Sequence, residues 1–307
     1  MRQKQAIFNV GGALSTYIEF AGKKIVIDLG KNSNFSPTKD FLLPYFQKNS
    51  FSKRNGKYVI DQLIISHPHN DHISDIKNFD EYFYAELFTI PNDNNGMQED
   101  EKINWELIKN PTDEYVKYLR EKMLPSRQPP LKSSNPKNLF IYYVKSRICE
   151  KILTKDNYAN NISIAVYVRI NGCRILLPGD LMKDGIEYLI DHDSGFRNKL
   201  KEGVDFLVAP HHGLKSSFST KLFKKMKNNK TKRLNVISEK PTSEDSNRVV
   251  DSRYANKDYC EGKNNLSTNE SKVYQRRTSR GHIVIDYHGN APLIIIANDA
   301  RELLKKF

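Results

Sequence analysis

Cysteine is scarce: Cys149, Cys173 and Cys260 are the only three in 307 residues, and no Cys-x-x-Cys pair occurs. That spacing excludes both a disulfide framework and a thiolate metal cage, so the three are read as ordinary reduced thiols. Long hydrophobic runs are missing as well. No stretch approaches the ~18 uninterrupted apolar residues of a spanning helix. The opening Met1-Arg2-Gln3-Lys4-Gln5 runs into the short apolar segment IFNV, not into the hydrophobic centre of a leader. The expectation is a soluble, cytoplasmic protein with no membrane association. Acidic residues are outnumbered, 36 against 49 Lys and Arg, and the formal net charge of +13 favours a polyanionic partner such as nucleic acid. Neither an internal repeat nor a strong linker is visible, so residues 1–307 are read as a single domain.

The β-runs are short and punctuated. IFNV (7–10), STYIEF (15–20) and KKIVIDLG (23–30) are separated by Gly11-Gly12 and Gly22. YVIDQLIIS (58–66) becomes continuously apolar towards its end, as a strand covered on both faces does. From about 82 to 138 the pattern is irregular, and the region reads as an inserted loop and helix or a lid. Its one predicted helix carries Val116, Leu119 and Met123 behind Thr112 and Asp113 as caps. The second half alternates FIYYV, SIAVYVRI and CRILLPGD with a helix bearing Ile186, Leu189 and Ile190. VDFLVAP, a helix bearing Phe218, Leu222 and Met226, and RLNVIS then follow. Residues 239–269 read as a long polar loop, HIVIDYHG and PLIIIAN as closing strands, and DARELLKKF as a short helix. Alternating strands and helices predict α/β layers.

The chemistry is concentrated in His67-Pro68-His69-Asn70-Asp71-His72, directly after the buried strand 58–66. Three imidazoles and a carboxylate within six residues are hard to explain as packing. At the end of a strand, His67 and His69 can point to one side, while Asp71 and His72 address a second point as the chain turns towards a helix. Such spacing suits two adjacent cations, and the cofactor expectation is one or two divalent ions. Imidazole with carboxylate and no thiolate fits zinc, manganese or iron, and ligand type alone does not choose among them; zinc is the first expectation. Asp180, just past the strand 173–177, either bridges two cations or caps the next helix. His211 and His212 close another buried strand and are followed by Gly213, which lets the backbone approach closely. Of the other histidines, His192 is read as solvated, His288 as a turn residue, and His282 as either a substrate contact or a structural residue. Asp28, at a strand end, suits the orientation of metal ligands.

The order of these elements resembles the metallo-β-lactamase fold, and more narrowly the metallo-hydrolase domain of the ComEC DNA-uptake proteins. The resemblance runs from about Phe8 to Ile296. It rests on Asn9-Val10-Gly11, Ile27-Asp28-Leu29-Gly30, the cluster at 67–72, Asn160-Asn161-Ile162-Ser163, Leu176-Leu177-Pro178-Gly179-Asp180, His211-His212-Gly213 with Ser216-Ser217, and Arg277-Thr278-Ser279-Arg280-Gly281-His282-Ile283. Ala13-Leu14 and Ser74-Asp75 depart from the family pattern, and no histidine lies between Ile73 and Gly179, where many relatives have one. The resemblance implies a four-layer αββα sandwich, with the insertion at 82–138 and a metal site on one edge. One cation would rest on His67, His69 and Asp180, completed by Asn161 or water. A second would rest on Asp71, His72, Asp180 and either His211 or His212.

With two such cations a bridging water becomes the nucleophile, and no Ser or Cys is needed. Asp71 is expected to be both ligand and orienter of that water. Whichever of His211 and His212 is not a ligand would hold the substrate anion or protonate the leaving group. The expected activity is that of a metal-dependent phosphodiesterase or nuclease acting on DNA or RNA, and β-lactam hydrolysis is not expected. Asn161, Ser163, Lys215, Ser216, Arg277 and His282 are the candidate substrate contacts. Lys221, Lys224, Lys225, Lys227, Lys230, Lys232, Arg233, Arg276 and Arg280 are candidates to neutralise backbone phosphates, although a lysine-rich face opposite Phe218, Leu222 and Met226 is also what any solvated amphipathic helix presents. The alternatives are a hydrolase of a small phosphodiester or phosphorylated metabolite, and a catalytically impaired regulatory binding module.

Overall fold

A computed structural model describes residues 2–91, 102–124, 136–153, 157–226, 233–239, 249–262, 273–288 and 291–307. The chain first lays down β1 (Lys4–Ile7), β2 (Ser15–Phe20), β3 (Lys23–Leu29), β4 (Lys53–Arg54), β5 (Lys57–Ile64) and β6 (Phe83–Thr89). It then builds a second sheet from β7 (Leu139–Tyr142), β8 (Ala165–Ile170), β9 (Cys173–Leu177), β10 (Phe206–Val208), β11 (Leu234–Ile237) and β12 (Gln275–Arg277). Finally β13 (His282–Asp286) and β14 (Leu293–Ala297) return to the first sheet. The orders are β14-β13-β1-β2-β3-β5-β4, with β6 also paired to β5, and β12-β11-β10-β9-β8-β7.

Side-chain alternation explains how two sheets and two helical layers pack. In β8, Val166, Val168 and Ile170 point into one apolar cluster together with Ile18, Ile25, Ile27, Ile175 and Ile283. Ala165 and Tyr167 point the opposite way, into a second cluster shared with Leu189, Phe196 and Leu200 of the helices Lys183–His192 and Ser194–Glu202. The first cluster lies between the sheets and the second beneath the helices. Strands covered on both faces therefore read as unbroken apolar runs. The result is a mixed α/β sandwich of two sheets with helices outside, as the sequence reading expects.

Two boundaries differ from that reading. The insertion does not begin at 82, because Phe83–Thr89 forms β6, parallel to β5 with Tyr58 opposite Phe83 and Ile64 opposite Thr89. Within the remainder, the helix Glu114–Tyr118 forms with Asp113 as its N-cap. The loops NDNNG and SRQPPLKSSNP and most of 239–269 fall wholly or largely outside the described residues. The first strand is Lys4–Ile7 rather than 7–10, since Lys4–Ile7 is the stretch that pairs with both β2 and β13.

Candidate metal centre

Strands β3, β5 and β6 run parallel in one sheet, and β9, β10, β11 and β12 run parallel in the other. Their carboxyl ends share one edge of the sandwich, where open α/β sheets leave a crevice. Asp28 follows the register pair Ile27 and Ile64 at the end of β3. His67 to His72 follow β5, Asp180 follows β9, and His211 and His212 follow β10. Two close approaches hold these loops together. A Cβ on Gly30 would stand 2.3 Å from the backbone oxygen of Asp71. One on Gly179, whose φ is +59°, would stand 2.9 Å from Cβ of Ser66. His211 and His212 are themselves left-handed, with φ of 46° and 58°. Non-glycine residues rarely adopt this conformation, and it collects at functional sites.

Asp180 is the focus of the arrangement. It is buried, with Oδ1 3.2 Å from Nε2 of His72 and Oδ2 3.8 Å, 3.9 Å and 3.7 Å from Nε2 of His67, His211 and His212. Of the two roles open to it, helix capping is the one the structure does not use. Met182 is the N-cap of Lys183–His192 and makes no side-chain capping bond. Nε2 of His212 also lies 3.4 Å from Oδ2 of Asp71. Behind the ligand-type atoms stands a polar shell. Oδ1 and Oδ2 of Asp28 accept from the backbone N–H (2.6 Å) and Oγ–H (2.8 Å) of Ser66. Oδ2 also lies 2.8 Å from Nδ1 of His72. Nδ1 of His212 is 3.2 Å from the carbonyl of Ser238. Both contacts favour the Nδ1–H tautomer and leave Nε2 as the free lone pair.

The donor set fits a divalent cation. Asp71, His72, Asp180 and His212 each offer one ligand atom, all within 4.8 Å of one another. Nε2 of His69, Nε2 of His72, Nδ1 of His211 and Nε2 of His212 are buried without a hydrogen-bond partner. Orphaned polar atoms are costly to bury, and a cation bound by this group would satisfy those of His72 and His212 together. His67 and His69 stand beside the group, with Nε2 of one 3.0 Å from Nδ1 of the other.

The charges are strongly coupled. Burial alone would raise the Asp180 carboxyl, but His72, His212 and His211 hold it well below the usual carboxylate value. Asp71 is held low against burial by His212 and His72. Burial pushes His67, His69 and His211 down, whereas in His72 and His212 the attraction of Asp180, with Asp28 and Asp71 respectively, outweighs burial and raises them. The signs predict a stability optimum near the ordinary histidine value of about 6.5 for the metal-free protein. Below it, His67, His69 and His211 take up protons more readily when unfolded, so stability falls with acid. Above it, the contribution of His72 and His212 is lost as pH rises through their raised values. Thermal melts of chelator-treated protein across pH 5 to 9 should show this maximum, and a monotonic rise to pH 9 would contradict it.

Several predicted contacts are placed elsewhere. Asn161 is buried, accepting from the N–H of Met182 (3.1 Å) and donating to Asp184 (3.0 Å), and Ser163 accepts from the N–H of Asp180 (3.2 Å). Both therefore support the Asp180 loop from behind, and neither lines the cavity described below. His282 is buried against Phe35, and its Nδ1 accepts from the N–H of Asn9 (3.0 Å). Lys215 and Ser216 are exposed on a short turn after the histidine pair and do not line the cavity described below. Arg277 is paired with Glu239 at 2.7 Å. Arg233 is buried, with its guanidinium over the Phe223 ring and beside Glu261, because a packed aromatic and a carboxylate compensate its burial. Lys221 pairs with Asp191. Lys227, Lys230 and Lys232 lie outside the described residues. His192 ends the helix Lys183–His192 and stays exposed, packed on Tyr188.

A cavity of about 440 Å³ opens onto the centre and is lined by His69, Asp71, Asp180, His211 and His212. Its other wall comes from residues the sequence reading does not single out as site residues, among them Leu107, Lys109, Asn110 and Glu239. No motif marks these, since Leu107, Lys109 and Asn110 depend on how the insertion folds back over the site and Glu239 on where the chain leaves β11.

The model of the metallo-β-lactamase superfamily matches residues 8–139, which include the cluster at 67–72. The fold is that of the metallo-β-lactamase superfamily. Asp180, His211 and His212 lie beyond the matched residues, and only the three-dimensional structure brings them to the cluster. The superfamily is mostly metal-dependent hydrolases that bind divalent metals, and this chain carries a candidate His/Asp site for such an ion. Among solved structures of the metallo-β-lactamase fold, the chain is similar to one from Thermotoga maritima described as a Zn-dependent hydrolase (12% identity, 81% of this chain and 82% of that one, TM-score 0.37). It is also similar to the metallo-β-lactamase fold protein YhfI from Bacillus subtilis (11% identity, 79% and 89%, TM-score 0.39). No curated protein sequence matches the chain. Among the described residues, no helix is long and apolar enough to cross a membrane.

Proposed function

We propose that the protein is a metal-dependent phosphodiesterase, with a nucleic-acid strand as its substrate. The observation that carries the hydrolase reading is the group Asp71, His72, Asp180 and His212 within 4.8 Å, facing a cavity of about 440 Å³. The net charge of +13 supports a polyanionic substrate. The order of HxHxDH, NNxS, LLPGD, HHG and RTSRG supports a place near the ComEC-like branch. Zinc is the first candidate metal for imidazole and carboxylate ligands, with manganese and iron behind it.

A bound divalent cation supplies two things, polarisation of a phosphoryl oxygen and acidification of water. The chain's residues do the rest. Asp180 and Asp71 provide carboxylate oxygens, and His72 and His212 provide Nε2. Asp71, with its side chain 36% exposed, faces the cavity and orients the attacking water. His211, outside the four-residue group and held neutral by burial, offers a ring N–H to the substrate's phosphoryl oxygen.

The cavity's modest volume favours one second reading, a small phosphodiester that fits inside it. Zinc- or manganese-loaded protein should therefore be offered labelled single- and double-stranded DNA, RNA and bis(p-nitrophenyl) phosphate. Cleavage of the polymers, abolished by chelator, is the expected result. Cleavage of the small ester alone moves the assignment to the second reading. Binding without turnover of any of them makes the protein a binding module and removes the proposal.

A further inference from the structure

The cavity wall opposes few uncommitted charges to an incoming ligand. Asp71 and Asp180 belong to the metal group. Asp113 is committed on both oxygens: Oδ1 caps the N–H of Tyr115 (2.9 Å), and Oδ2 accepts from Nδ2 of Asn70 (3.0 Å). Glu239 is likewise occupied, accepting from Nη1 of Arg277 (2.7 Å) and Oγ of Ser279 (2.6 Å). Lys109 remains. It lines the same cavity, its side chain is exposed, and it has no hydrogen bond or ion pair among the described residues.

Its backbone is nevertheless fixed. On one side Ile108 is buried in the core, 1% exposed, and its N–H bonds the carbonyl of Trp105 at 3.3 Å. On the other, Asn110 takes a left-handed φ of 55°, and its carbonyl accepts from the N–H of Asp113 at 2.9 Å. The bond from Asn70 to Asp113 then ties this turn to the residue next to Asp71. A free ammonium on an anchored turn suits an anion better than a lysine on a free loop does, because less ordering is needed on binding.

We propose that Lys109 is the specificity-determining residue that selects an anionic ester, its ammonium holding a non-bridging phosphoryl oxygen of the ligand in the cavity. This rests on the phosphodiesterase reading of the same cavity. The test compares wild type, Lys109→Ala, Lys109→Arg and, as a charge-matched control on the terminal helix, Lys305→Ala, all zinc-loaded. Two quantities are read: KM and kcat for bis(p-nitrophenyl) phosphate beside neutral p-nitrophenyl acetate, and the affinity for adenosine 5′-monophosphate by calorimetry. In Lys109→Ala, KM for the anionic ester should rise and nucleotide affinity should fall by roughly 10-fold to 100-fold, as expected for a lost charge-assisted bond. KM for the neutral ester should stay put, and Lys109→Arg should recover most of the loss. Nucleotide affinity in Lys109→Ala equal to that of Lys305→Ala, or a wild type that does not bind the nucleotide, overturns the proposal. A wild type that binds the nucleotide through Lys109 but hydrolyses no phosphodiester leaves the anion site standing and removes the activity assigned to it.

Discussion

Asp180→Ala is expected to abolish divalent-metal binding and turnover together while leaving the fold in place. Its carboxylate lies within 3.9 Å of ring nitrogens of His67, His72, His211 and His212, which follow strands in both sheets, so no neighbouring residue can substitute for it. Loss of the cation removes several kcal/mol of transition-state stabilisation, on the order of a thousandfold in rate. The fold survives because the Asp180 loop keeps its other ties, the bond from its N–H to Ser163 and that from the N–H of Met182 to Asn161. Asp180→Asn makes the comparison sharper, since it keeps the shape and removes the charge. Metal content after dialysis, circular dichroism and phosphodiester turnover check it. A variant that holds zinc as tightly as wild type would contradict the assignment.

The second large effect is expected at Asp28, which never touches the cavity. It is buried at a left-handed φ of 59° and accepts from the N–H and Oγ of Ser66 and from Nδ1 of His72. Asp28→Ala leaves these donors buried and unpaired, which should cost about 3 kcal/mol of stability. Asp28→Asn separates positioning from stability. Its carbonyl still accepts from Ser66, but its amide N–H₂ faces Nδ1 of His72 and favours the opposite tautomer, which places a proton on Nε2. Zinc affinity should fall roughly 10-fold to 100-fold, with a much smaller change in the melting temperature than in Asp28→Ala. Competition with a chromogenic chelator measures the first and thermal melts the second. Equal zinc affinity in Asp28→Asn and wild type would remove the tautomer argument.

These two residues also show how far the amino-acid order reaches. His67 to His72 announce a metal site because so many ligand-type side chains in so few residues have no packing explanation. Asp28 is suggested by its place at the end of KKIVIDLG. Asp180 is ambiguous along the chain, and only packing decides between cap and ligand. The strands buried on both faces are legible from their apolar runs. β6 is not, because Tyr84 and Glu86 on its exposed positions break the pattern. A buried arginine such as Arg233 reads as surface charge until Phe223 and Glu261 are found around it. Lys109 and Glu239 carry no local signal at all. They reach the cavity through the folding of the insertion and the end of β11, and such long-range placement leaves no periodicity to read.

Anomalous scattering at the zinc edge, from crystals grown with zinc, locates a cation at this edge of the sandwich without reference to turnover. A peak is expected at about 2.0–2.2 Å from ligand atoms of Asp71, His72, Asp180 and His212, and a second peak beside His67 and His69 if two ions bind. No peak between the two sheets' strand ends, or zinc only at exposed positions such as His192 or His288, would contradict the metal assignment.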